Sequence, residues 1–377
     1  MTNSRDILLK LVRVAMSWEG DYTLPKDIDW TEVLHLADEQ GVTPIALDGY
    51  DIICQKNPQG ARFLSATEDK ALILQHIGHI TFTEHNYRRH ISTLVELGKV
   101  LENKHIPFLL MKGLSCGLHY PNPRHRPCGD IDIYPGELYN ESNEALKDAG
   151  IGVVPDYYRH SVSYINDVMI ENHCVLCDLR GPKRQTREFE ALLESEAKKS
   201  ITENTNLVLD GIKIPGAKKP SANFNALFLP WHVSAHLAFE RVTIRHLLDW
   251  ALFLTHEGKD IDVEMYRAAK KRFTYGYSKL ADILTALSLE YLKMPADDIP
   301  QGIIEDAANT TTELNTKVLD YIFSGQLRER DNRVWKFRIN NVKKVWIERW
   351  KYKELFKMNV FLFLFYKIKG VILHEGE

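Results

Sequence analysis

The stretch KGLSCGLHYPNPRHRPCGDIDIY, Lys112 to Tyr134, sets a Lys-Gly turn ahead of two aspartates that alternate with isoleucine. In a strand, residues i and i+2 share a face, so Asp130 and Asp132 project together while Ile131 and Ile133 turn to an apolar side. Like charges held this close raise each other's proton affinity unless a cation lies between them. A hard divalent ion, Mg²⁺ or Mn²⁺, prefers such oxygen ligands. The pair is a candidate metal site.

The residues on either side extend that reading. Upstream, IPFLLMKG is a short apolar strand that delivers Lys112 and Gly113 to a short helical stretch ending at Tyr120. Free N–H groups and the positive end of a helix suit phosphate oxygens, and Ser115 adds a hydroxyl. A Pro-rich loop leads into the strand CGDIDIY, and a helix follows from Glu137 to about Ala149. YYRHSVSYI and VMIENHCVL then read as two strands around the turn-forming pair Asn166-Asp167. On the second strand Glu171 shares a face with His173, with Asn172 and Cys174 on the other. Three carboxylates from neighbouring strands, facing a phosphate-binding turn, suit two-metal phosphoryl or nucleotidyl transfer. One metal activates the attacking oxygen and the other steadies the leaving pyrophosphate.

Outward from this α/β core, residues 106–215, the spacing of apolar residues is helical on both sides. An N-terminal helical unit is expected over 1–105, with DWTEVLHLADEQGV opening on Asp29 and a long pattern running from Glu68 towards Glu102. The core closes with LVLDGIKIP, a hairpin turning at Gly211. A C-terminal helical unit, 216–330, contains NALFLPWHVSAHLAF, IRHLLDWALFLTHEG and GYSKLADILTALSLEYL. Residues 331–377 form a basic, aromatic helical tail, a candidate partner or dimer contact that also has the composition of a membrane-surface segment.

Composition bounds the classes. The chain has 377 residues, 44% of them hydrophobic and 26% charged, enough for two or three packed units. A formal net charge of -3 supplies no global attraction to nucleic acid or membrane. Five cysteines, an odd and sparse set, argue against a disulfide framework and fit a reducing cytoplasm. The N-terminus reads as an amphipathic helix and not a signal peptide, and no apolar run reaches the roughly 18 residues of a transmembrane segment.

The residues Lys112, Gly113, Arg126, Asp130 and Asp132 resemble a known pattern: a turn and helix, then Asp-x-Asp, then a later acidic strand residue. It is that of the DNA polymerase β-like nucleotidyltransferase superfamily. Within it the chain is most similar to the uncharacterised nucleotidyltransferase family that carries Lys-Gly in place of Gly-Ser and an Arg shortly before Asp-x-Asp. The turn here is Gly-Leu-Ser, which displaces Ser115 from the usual slot. The resemblance implies an α+β fold with a small mixed sheet and Mg²⁺ held by Asp130 and Asp132. Glu171 would complete the site and help activate an acceptor hydroxyl, and Lys112 or Arg126 would counter the charge of an NTP donor. The acceptor stays open among small molecules, RNA and protein.

Two further readings stay open. The same fold would serve as a catalytically silent nucleotide- or RNA-binding module. Alternatively, His232 and His236, four apart on one helix face, would centre a metal hydrolase with His246 and Asp249 as partners. Cys174 and Cys177 spell C-x-x-C, but three apart on a continuing strand they point to opposite faces.

Overall fold

The computed structural model describes residues 3–57, 70–156, 159–177, 183–203, 206–239, 241–274, 277–324, 345–362 and 364–365. Four helices lead in: α1 (Ser4–Ala15), α2 (Trp30–Glu39), α3 (Thr43–Lys56) and α4 (Lys70–Glu102). Then come β1 (Phe108–Met111), α5 (Gly113–Gly117), β2 (Asp130–Tyr134), α6 (Tyr139–Asp148), β3 (Val153–Asp156), β4 (His160–Ile165) and β5 (Val168–His173). After α7 (Lys183–Glu203) the hairpin β6 (Asn206–Leu209) and β7 (Ile212–Lys218) completes the sheet. Further helices are α8 (Ala222–Phe239), α9 (Ile244–Glu257), α10 (Val263–Arg272), α11 (Ser278–Glu290), α12 (Gln301–Ala308), α13 (Thr312–Phe323) and α14 (Arg349–Glu354). Residues 331–344, 363 and 366–377 of the expected tail lie outside the described residues.

The seven strands form one mixed sheet in the order β3-β4-β5-β2-β1-β7-β6. β1 runs parallel to β7 and β2 parallel to β5, and the other neighbours are antiparallel. Two of the hairpin turns follow from their sequence. Asn166 and Asp167 take φ of 52° and 58°, and Asp210 and Gly211 take 51° and 77°. A two-residue turn with positive φ at both positions matches the twist of the strands it joins.

Alternation along the central strands divides the apolar side chains between two cores. Phe108, Leu110, Ile131, Ile133 and Ile170 join one cluster with Tyr87, Ile91, Leu94, Leu97 and Leu101 of α4. That spacing is one stripe of a helix. Leu109, Met111 and Tyr134 point the other way, into a larger cluster with α7, α8, α9 and α11. The polar positions of β2 share this second side, so Asp130 and Asp132 look toward the C-terminal helices. Helices α1, α2 and α3 belong to the same larger cluster.

Pro230 lies inside α8. It lacks an N–H, which frees the carbonyl of Ala226 one turn earlier. The buried Tyr277 hydroxyl donates to that carbonyl at 3.2 Å. The helix thus continues through the proline to His232 and His236. In the C-terminal tail, Lys351 is buried and donates to the carbonyl of Leu237 and to Glu348, while Trp346, Ile347 and Phe361 are exposed. Among the described residues no helix is long and apolar enough to cross a membrane.

Candidate active site

β1 ends at Met111, and the chain turns sharply at Lys112 and Gly113, with φ of 49° and 36°. A Cβ on Gly113 would lie 2.9 Å from the sulfur of Cys128, so a side chain at the second position would require that sulfur to move. The turn brings the Lys112 side chain back over β2, where its Nζ lies 2.8 Å from Oδ1 of Asp132. Ser115, two residues on, is buried and stands apart from the residues that line the cavity described below.

Strand register assembles the acidic group. β2 and β5 are parallel with Asp132 opposite Glu171, and paired residues of adjacent strands project to the same face. Ligand oxygens of Asp130, Asp132 and Glu171 lie within 4.8 Å of one another. His173, on the same face, places Nε2 2.9 Å from Oδ1 of Asp132 and 3.3 Å from Oε2 of Glu171. Asn172 faces the opposite side and donates to Ser142 and Asn143 of α6.

The electrostatics follow from these contacts. Burial opposes ionisation of Asp132, but the Lys112 ammonium and the hydrogen bond from His173 outweigh it and hold the carboxyl well below its usual range. Asp130 goes the other way: burial, and then the neighbouring charge of Asp132, raise its proton affinity. Glu171 is lowered, since the hydrogen bond from His173 overcomes burial. Lys112 and His173 are both raised, against burial, by the carboxylates they touch. The chain thus places an ammonium and an imidazole where two-fold negative charge would otherwise be bare.

These groups line one wall of a cavity of about 500 Å³. The opposite wall comes from α8 and α9 and carries His232, His236, Arg245 and His246. His232 and His236 bring their Nε2 atoms to 3.0 Å of each other, and the rings of His236 and His246 lie 4.7 Å apart. One nitrogen of each of the three lies within 4.8 Å of the others. The Nδ1 of His246 accepts the backbone N–H of Thr243 at 3.1 Å, closing a capping box at the start of α9. A neutral imidazole with that nitrogen accepting carries its proton on Nε2. Burial, and then the neighbouring charge of His236, lower the pKa of His246 well below the usual value, so it meets the cavity as a donor.

Arg126 also lines the cavity, but its guanidinium is engaged in two prongs by Asp249 of α9, Nε to Oδ1 at 2.8 Å and Nη2 to Oδ2 at 2.7 Å. Tyr120 donates to the same Oδ1 at 2.7 Å. Both members of the pair are buried. Arg126, singled out in the sequence as a counter-charge for phosphate, and Asp249, considered there beside the histidine pair, thus meet each other. Cys174 and Cys177 are not joined in a disulfide; the first is half-buried and the second buried.

Sequence reasoning missed His173 as a partner of Asp132, although its place two residues after Glu171 put it on the right face. Arg159, His160 and Arg245 on the cavity wall had no such signal.

A protein-family model described as "Uncharacterised nucleotidyltransferase" matches residues 26–275, the span that contains the whole sheet and both walls of the cavity. No curated protein and no solved structure matches the chain.

Proposed function

The chain belongs to the uncharacterised nucleotidyltransferase family, and from that premise we propose that it transfers a nucleoside monophosphate from an NTP to a hydroxyl or phosphate of an acceptor, releasing pyrophosphate, on a polymerase β-like core. The observation that carries the reading is the convergence of Asp130, Asp132 and Glu171 on one wall of a cavity, with Lys112 beside them.

Three carboxylates with oxygens this close are a donor set that fits Mg²⁺ or Mn²⁺. Asp130, Asp132 and Glu171 would hold the ion, which when bound neutralises triphosphate charge and makes an acceptor oxygen more acidic. The residues of the chain supply the rest. Lys112, on the cavity side of Asp132, offers a cation to phosphate oxygens as it leaves that carboxylate. While its Nε2 carries a proton, His173 keeps Asp132 aimed and ionised through its hydrogen bond. The His246 donor and the paired His232 and His236 give the acceptor a polar wall opposite the carboxylates. In the same reading the helical units 1–105 and 216–330 flank the 106–215 core, and the second of them shapes the acceptor side.

Calorimetric titration with each of the four ribonucleoside triphosphates in the presence of Mg²⁺ tests this. One triphosphate is expected to bind in a metal-dependent way, and binding is expected to vanish in the Asp130→Asn/Asp132→Asn double variant. The neutral amides keep the shape and lose the charge that holds the cation. Binding that survives the double variant would remove the acidic group from the nucleotide site.

A further inference from the structure

The register that sets Asp132 opposite Glu171 also sets two imidazoles beside the same carboxylate. His173 follows Glu171 by two residues on β5, and His160 is the antiparallel partner of His173 on β4. All three side chains therefore rise from one face of the sheet. The two rings lie 5.0 Å apart, centroid to centroid. Each oxygen of Glu171 faces a different ring: Oε1 is 3.8 Å from Nε2 of His160, and Oε2 is 3.3 Å from Nε2 of His173. One ligand atom from each of the three residues lies within 4.8 Å of the other two. Both rings line the cavity, so the position is open to it.

We propose that His160, His173 and Glu171 form a second metal position, next to the all-carboxylate one, that takes a transition ion such as Zn²⁺ or Co²⁺. Ligand chemistry separates the two positions. Oxygen-only donors select hard cations, whereas two imidazoles with one carboxylate select first-row transition ions, which bind nitrogen far more tightly than Mg²⁺ does. Glu171 is common to both sets, so it stands between the positions and ties their geometry together. The rival explanation of these imidazoles is purely structural. His173 contacts Asp132 as well as Glu171, and a hydrogen-bond donor there would serve to orient the carboxylates. The two explanations differ in what a cation reports. The inference needs only these three side chains and holds whether or not the chain transfers nucleotides.

The experiment is titration of the chelator-treated full chain with Co²⁺, followed by its visible ligand-field absorption. Bands that saturate, yield to Zn²⁺ and ignore Mg²⁺ are expected in the wild type. They should be lost in His160→Gln and in His173→Gln and kept in Asp130→Asn, which disables only the oxygen-only set. Glutamine at 173 retains a donor for Asp132, and circular dichroism checks each fold. Should the buried His173 variant fail to fold, the His160 variant decides the matter. Absent bands in the wild type would overturn the proposal. So would bands that survive both histidine substitutions, which would move the ion to His232 and His236. Bands lost equally in Asp130→Asn would reduce the two positions to a single mixed centre and overturn it too. Because this readout uses no nucleotide, its failure leaves the triphosphate titration untouched.

Discussion

Gly113 carries a geometric demand that a residue with a Cβ meets only under strain. Its φ is 36°, and the Cys128 sulfur occupies the space a Cβ would need. Left-handed backbone costs an ordinary residue about 1–2 kcal/mol, and the sulfur contact adds to this. Gly113→Ala is therefore expected to lower stability by at least about 1 kcal/mol in urea denaturation, and to weaken triphosphate binding by displacing Lys112. An unchanged urea midpoint would show that the turn relaxes freely. At this scale much of the site was legible, because period-two alternation alone puts Asp130 with Asp132 and Glu171 with His173. The ion pair of Arg126 with Asp249 was not, since no local rule links a loop residue to a helix face so far along the chain. Ser115 illustrates the same limit, for its burial is decided by packing around α5 and not by the turn.

Among the elements, the continuity of α8 depends on a bond from outside it. The Tyr277 hydroxyl serves the carbonyl that Pro230 leaves without a partner inside the helix. Tyr277→Phe removes the donor and keeps the ring, leaving a buried carbonyl unsatisfied. A loss of about 1–3 kcal/mol is expected in chemical denaturation. A variant as stable as the wild type would mean that another group serves Ala226. The helices and hairpins with strong periodicity or turn chemistry were readable from the sequence, α2 from its Asp29 cap and β6–β7 from Asp210-Gly211. Other elements were not singled out, β3 and α7 among them. β3 is a short edge strand containing Pro155, a residue that weakens any strand signal. α7 is highly charged, and its apolar stripe of Phe189, Leu193 and Ala197 is narrow.

For the whole molecule, the informative contacts join segments far apart in sequence. Gln40, after α2, donates to the carbonyl of Ile322 and accepts the N–H of Ile244, so it links the N-terminal helices to α9 and the end of α13. The buried pair of Arg126 and Asp249 joins the loop before β2 to the helix across the cavity. Removing one member strands the other charge, at a cost of about 3–5 kcal/mol. Asp249→Ala is expected to lose roughly that stability, read as a fall in melting temperature. A shift far smaller would show that water reaches the guanidinium. Apolar periodicity marked helices on both sides of the core but could not say which of them share an interior, because a stripe does not name its partner. The parallel pairing of β1 with β7 bears on how the molecule comes into being. On the ribosome, β1 and the turn carrying Lys112 emerge long before the strand that flanks them. A nascent chain therefore carries its acidic strand, with Lys112 and Arg126 already synthesised, before the hairpin that completes the sheet and the helix that brings Asp249 arrive.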